Sequence, residues 1–348
     1  MSVVMCSLTM APNVTEEETA VDEGLKVGKL IPQYASPVKH KILYLNLIYF
    51  AYWHLAAPYG VYLCFAKAKW WTVFFGFLCF IISEVGITAG AHRLWSHRCY
   101  KAKMPLQILL MLFNSVAFQN NVIHWARDHR LHHKYCDTDA DPHNASRGFF
   151  FSHVGWLLTR KNKEVIKYGK TMDMSDLENN PVLKFQKDYA ALVFTTFCFI
   201  LPVGIPMYIW GETFNVAWHV NLLRYTLSLN FTFLVNSAAH LWGFRPYDKS
   251  IFPAQNLYVS FLTLGEGFHN YHHVFPWDYK TAELGNNKLN FTTLFINMMA
   301  RIGWAYDLKT VPHSVVRTRA LKSGDGTNLW GWGDEDMSNK DKLDTKIS

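Results

Sequence analysis

Apolar residues in this chain are gathered into long unbroken blocks, and the polar residues fill the intervals between them. Four blocks, Ile42 to Phe65, Trp71 to Ala91, Tyr189 to Trp210 and Val216 to Leu241, reach the roughly 20 residues that a helix needs to cross a hydrocarbon core about 30 Å thick. Blocks of that length with no polar face predict spanning helices, here four of them in two hairpins. Pro58, Tyr59 and Gly60 fall near the far end of the first hairpin, and Pro202 and Pro206 break the third span near its own far end. A shorter run, Leu106 to Phe118, is too short to span and reads as a helix lying on the interface or packed on the core.

The polar intervals set the organisation. Residues 1–38 read as a disordered tail whose acids (Glu16, Glu17, Glu18, Asp22, Glu23) argue against a signal peptide. Residues 39–318 form the membrane domain, with 92–188 and 242–318 as two polar portions on one side. Residues 319–348 turn polar and read as a second disordered tail. No solenoid repeat is present, but each hairpin is followed by a histidine-rich segment, which gives a loose internal symmetry.

Composition sharpens this picture. Half of the 348 residues are hydrophobic and 16% are aromatic, as in a membrane protein. The net charge of +7 is unevenly spread. Lys and Arg crowd the segment after the second span (Arg93, Arg98, Lys101, Lys103, Arg127, Arg130, Lys134, Arg160, Lys161, Lys163, Lys167), whereas 202–215 has none. The crowded side is therefore assigned to the cytosol together with both termini, and no nucleic-acid partner is expected. Lys67 and Lys69 then face the lumen, against the trend. The six cysteines (Cys6, Cys64, Cys79, Cys99, Cys136, Cys198) form no C-x-x-C pair and read as reduced thiols.

The sixteen histidines carry the chemistry. Three clusters stand out: His92 with His97, His129 with His132 and His133, and His269 with His272 and His273. On a helix, residues three and four apart share a face, so each of the last two clusters resembles a half-site for metal. His240 ends the fourth span, with Asn236 one turn before it, and His92 ends the second, so all nine converge on the cytosolic side. Any one of them could simply pair with a lipid phosphate, but two copies of H-x-x-H-H and one of H-x-x-x-x-H together outweigh that reading. His40, His54, His124, His143, His153, His219 and His313 lie outside the pattern. Nine imidazoles exceed the needs of one ion and suit two of iron, zinc or copper. No acid sits inside the clusters to serve as a hydrolytic base, which favours oxygen chemistry.

The stretches Gly86-Ile-Thr-Ala-Gly-Ala-His-Arg-Leu-Trp-Ser-His97, Trp125-Ala-Arg-Asp-His-Arg-Leu-His-His133, Asn236-Ser-Ala-Ala-His240 and Gly265-Glu-Gly-Phe-His-Asn-Tyr-His-His273 resemble the acyl-CoA desaturases of the endoplasmic reticulum, insect and moth members most of all, over residues 30 to 318. The resemblance implies an all-α integral membrane protein, four transmembrane helices with a cytosolic helical cap, and a centre of two irons. It implies His92, His97, His129, His132, His133, His240, His269, His272 and His273 as iron ligands, and Asn236 as a ligand through water. It implies a long-chain acyl-CoA and O2 as substrates, with electrons from NADH through cytochrome b5 and its reductase, at the membrane lipid of the endoplasmic reticulum. Asn46, Asn120, Arg127, Asp128, Arg160 and Lys161 are implied to hold the CoA head, with Arg and Lys suited to its phosphates. Trp125 and Thr232 are implied to shape a bend in the acyl tunnel, and Phe233 stands where relatives often carry Trp. Asp137, Asp139 and Asp141 are candidates to orient ligand histidines. Phe252-Pro253-Ala254-Gln255 resembles the signature of a moth Δ11 group, pointing to Δ11 with Δ9 and Δ10 behind it. Two other readings stay open: a membrane diiron hydroxylase of alkyl chains, and a metal transporter, whose ligands would sit nearer mid-membrane.

Overall fold

All four apolar blocks fold as long helices in the computed structural model, which describes residues 41–283 and 289–327. They are α1 (Tyr44–Ala66), α2 (Trp70–Ser96), α5 (Ala190–Trp210) and α6 (Phe214–Asn236). Between them lie α3 (Met104–Ala117) and α4 (Val122–Lys134). After them come α7 (His269–Val274), α8 (Phe291–Arg301) and α9 (His313–Ser323); shorter helical turns are left without labels. One antiparallel strand pair, Lys101–Ala102 with Ala305–Tyr306, joins the two polar portions.

By length and apolarity α2 and α5 qualify as membrane-crossing helices, with mean hydropathies of 1.9 and 2.0, and α3 with α4 would add a third only as one span bent by 82°. α1 and α6 are long enough, but α6 carries polar groups along its buried side. Arg224 is the largest of these. Its terminal guanidinium nitrogens donate to the Val116 carbonyl (2.8 Å), the Cys198 carbonyl (3.1 Å) and Asn221 Oδ1 (2.6 Å), which offsets much of the cost of burying its charge. The outward faces of the four long helices are strongly apolar, with Phe65 and Tyr208 each 89% exposed, a surface fitted to lipid.

The bundle is tied at the end away from the histidines. Lys69 Nζ donates to the carbonyls of Trp210 (2.5 Å) and Gly211 (2.8 Å) at the C-terminus of α5. The Lys69 amide and the Thr72 hydroxyl both donate to Glu212 Oε2 (2.9 and 2.6 Å). Lys69 is thus a helix-end cap, which gives one of the two out-of-trend lysines a structural role.

Several expectations need adjustment. Pro58 lies in the middle of α1 rather than near its far end. The run at 106–118 is packed on the core: Leu106 and Leu110 are fully buried in α3. Its partner α2 comes close because Gly86 has no side chain; a Cβ there would meet the Asn114 amide at 2.3 Å. The fourth block breaks at Ser237, whose hydroxyl back-bonds to the Phe233 carbonyl (2.9 Å), so Asn236 and His240 sit on either side of a kink instead of one continuous turn. Helix α9 runs on to Ser323 with Ala320 buried, past the boundary set at 318. The tail 1–38 and residues 328–348 lie outside the described residues, as does Cys6; the other five cysteines are free thiols.

Candidate metal centre

Three devices aim the nine imidazoles. The first is the winding of α2, which changes from α to π over Gly86–Ser96. Residues five apart diverge by about 140° on an α-helix, but in a π-helix they are hydrogen-bonded neighbours. The His97 amide donates to the His92 carbonyl (3.1 Å), and the two rings lie 4.9 Å apart. The second device is Arg130, whose guanidinium donates to the carbonyls of Ser96 (3.1 Å) and Trp95 (2.8 Å) and is held by Asp176. It pins α4 against the end of the π segment. The third is Arg93, fully buried, which donates to Glu266 (2.7 Å), the Tyr279 carbonyl (3.0 Å) and Thr293 (2.9 Å). It ties α2 to the segment that leads into α7.

The imidazoles form two groups, His92, His97, His129, His133 and His272 in one, and His132, His240, His269 and His273 in the other. Each H-x-x-H-H box is therefore shared between the groups. Its first and third histidines, four apart, face one group, and the middle one faces the other. Two boxes read as separate half-sites are in fact interleaved.

The nitrogens fit metal binding. Nε2 atoms meet head to head: His92 with His272 at 2.9 Å, His97 with His129 at 2.8 Å, His133 with His272 at 3.0 Å, His240 with His269 at 3.0 Å and His269 with His273 at 3.1 Å. Ligands at right angles around an ion with bonds of about 2.1 Å stand about 3.0 Å apart, whereas tetrahedral ligands would stand at about 3.4 Å. The spacing matches five- or six-coordinate ions. Carboxylates fix three rings by accepting from Nδ1, which leaves each Nε2 lone pair facing inward. They are Glu266 for His92 (2.8 Å), Asp141 for His132 (2.8 Å) and Asp137 for His240 (2.9 Å).

Charge on these acids is balanced locally. Burial opposes ionisation of Glu266, but Arg93 and His92 outweigh it and hold its pKa down to about 2. Burial likewise opposes charge on Asp137 and Asp141, yet His240 and His132 respectively keep both below the usual carboxylate range. Burial and neighbouring imidazoles lower the pKa of His269, His272 and His273 well below the ordinary value, so they stay neutral and able to donate a lone pair. Glu266 escaped the sequence reading although it stands three residues before the third box. Asp139 does not join Asp137 and Asp141; it pairs with Arg147 at 3.3 Å.

A cavity adjoins both groups, lined by His92, His129, His132 and His269 and by Trp125, Thr232, Asn236 and Glu84. Trp125, Thr232 and Asn236 thus share one cavity with four of the histidines. Phe233 does not line this cavity; it is buried with Cys198, Tyr225 and Leu229. Of the residues implied for the CoA head, Asp128 gathers Arg127 (3.0 Å) and Lys161. Arg160 donates its amide to the Lys41 carbonyl (2.9 Å), and Asn46 donates to the Leu157 carbonyl (2.8 Å). Asn120 occupies the left-handed turn between α3 and α4 (φ 79°).

Residues 68–284 match the fatty acid desaturase family. The chain is 62% identical over 340 residues to the acyl-CoA Delta(11) desaturase of Trichoplusia ni, covering 97% of each. It is 65% identical over 310 residues to the acyl-CoA Delta(11) desaturase of Spodoptera littoralis, covering 89% of this chain and 91% of the relative. It is 58% identical over 322 residues to the (11Z)-hexadec-11-enoyl-CoA conjugase of Bombyx mori, covering 91% of this chain and 98% of the relative.

Proposed function

Because the chain belongs to the fatty acid desaturase family, we propose that its two imidazole groups hold two irons and that it inserts a Δ11 double bond into a saturated C14 to C16 acyl-CoA. It is an acyl-CoA desaturase, an oxidoreductase of unsaturated fatty acid synthesis, and its moth relatives extend the reading to sex-pheromone precursors. The observation that carries the metal assignment is the head-to-head spacing of Nε2 atoms from three boxes and His240. The reading includes four spans (α1, α2, α5 and α6), a cytosolic cap, cytosolic termini, the endoplasmic reticulum membrane, and cytochrome b5 as the electron donor.

When bound, the iron pair supplies the reduction of O2 that removes two hydrogens from adjacent methylenes. The chain's residues do the rest. Glu266, Asp137 and Asp141 lock three imidazoles in the tautomer that donates inward. Asn236, which lines the cavity adjoining both groups, holds a water on one of the ions. Arg127, Arg160 and Lys161, with Asn46, Asn120 and Asp128, hold the CoA head at the cytosolic mouth, the three cations on its phosphates. Trp125 and Thr232 bound the path along which the methylenes reach the centre. A chain anchored at its head presents carbons by distance from the carboxyl end. The bond position is then independent of chain length.

The test is expression in desaturase-deficient yeast fed saturated acids of several lengths, with double bonds mapped by mass spectrometry. Δ11 products from each length are expected. A bond that tracks the methyl end would overturn the counting mechanism, uniform Δ9 or Δ10 products would overturn Δ11, and an alcohol would point to a hydroxylase.

A further inference from the structure

One face of the cap brings a histidine of the four-nitrogen group to the floor of an open groove. The groove, of about 670 Å³, is lined by His273, Phe275, Trp277, Ile251, Val315 and Lys322. Phe275 and Trp277 lie edge to face, and Trp277 and Val315 are 46% and 48% exposed. His273 links the groove to both groups. Its Nε2 is 3.1 Å from that of His269, and its ring stacks on His133 of the five-histidine group at 4.1 Å and 12°.

The reaction read above requires such an entrance. Its balance is R–CH2–CH2–R′ + O2 + 2 e⁻ + 2 H⁺ → R–CH=CH–R′ + 2 H2O, so two electrons must arrive from outside the substrate. The rim of the groove has the charge to recruit a carrier of opposite sign. Arg319 and Lys322 line the groove, as does the acid Asp248, and the stretch 308 to 324 that carries them adds Lys309 and Arg317 and no acid. Arg319 is held in place by Asp248. An apolar floor inside a charged rim is the anatomy of a protein interface, and a basic rim steers an acidic partner.

We propose that this groove is the docking face of an acidic one-electron carrier protein, and that electrons enter the metal pair through His273. The proposal rests on the desaturase reading. Its test uses reconstituted holoenzyme and a V315E/K322E double variant, with W277A as an independent second variant; none of these residues belongs to the metal groups or the acyl path. Turnover is measured with purified cytochrome b5 as donor, and product from one turnover is measured after reduction by dithionite. The expected result is a rise of about tenfold or more in the KM for cytochrome b5 in the charge-reversed variant, with loss of its salt dependence, while dithionite-driven product is unchanged. W277A is expected to raise the KM less and to keep the salt dependence. An unchanged KM overturns the proposal. So does an equal loss in both assays for both variants, or a changed oligomeric state with the donor KM unaltered, which would make the groove a contact between copies of the chain. Wild-type holoenzyme that yields no alkene in either assay would sink the desaturase reading itself.

Discussion

The two imidazole groups are built from the same kind of box and end up unequal. One has five nitrogens, and its only carboxylate, Glu266, is neutralised by Arg93 at 2.7 Å. The other has four nitrogens and two carboxylates, Asp137 and Asp141, neither of which meets a Lys or Arg within salt-bridge distance among the described residues. The five-histidine group fills a five-coordinate shell with its own ligands. The four-histidine group offers one ligand fewer, and Asn236 lines the cavity that adjoins both groups. Under the diiron reading this separates a site that is held from a site that is left open and more negative, so exchange of water or oxygen belongs on the second.

The interleaving of the boxes offers the harshest way to break this comparison. His272→Ala and His132→Ala each remove the one imidazole that its box lends to the opposite group. Each is expected to cut desaturation by more than about a hundredfold. Mössbauer spectra of 57Fe-loaded protein should show His272→Ala losing the five-nitrogen signal and His132→Ala the four-nitrogen one. Loss of the same signal by both would mean that the groups do not load separately. Normal desaturation by either variant would remove the metal assignment.

Asn236→Leu sharpens the comparison further, because it leaves both imidazole groups intact. Most turnover should be lost while membrane yield and much of the iron remain; wild-type behaviour would reassign Asn236 to packing. The carboxylates come next. Asp137→Asn and Asp141→Asn should each weaken iron retention about ten- to a hundredfold, as read by chelator competition. Glu266→Gln should do the same to the five-histidine group. It also leaves the buried Arg93 charge unpaired, which costs roughly 3 kcal/mol or more, and a lowered thermal midpoint of the metal-free protein would register that. At the small end, Asp139→Asn should change neither iron nor activity and should cost under about 1 kcal/mol, since its partner Arg147 meets it at an exposed carboxylate.

How far the sequence led can be judged residue by residue. The four long helices were legible because apolar length is written directly in the chain, and the nine histidines because their spacing is. The sharing of each box was not. Helix-face logic places His129, His132 and His133 on one side, and only a second box packed opposite reveals that His132 looks elsewhere. The link between His92 and His97 was invisible for a related reason, since α-helical spacing separates them and the wide winding that joins them has no recognised residue pattern. Asp137 and Asp141 were legible as acids near a box. Glu266 was hidden by its place beside the third box in sequence while serving His92 of the first. Phe233 was singled out by its departure from the relatives' Trp, yet it lies outside the cavity that its neighbour Thr232 lines, because one residue along a helix turns a side chain by about 100°.

The π segment also bears on how such a chain can change over generations. Each of its hydrogen-bonded rings encloses one residue more than an α-helical ring, so removing any single residue between Gly86 and Ser96 would let the helix relax to its commoner form. All eleven residues there are buried, and the loop that follows begins only at His97 itself, too late to hold that ring in register. His97 would swing out of its group although no histidine had been altered. Substitution is open to this stretch, but gain or loss of a residue is closed to it, and its length should prove more constrained than its composition.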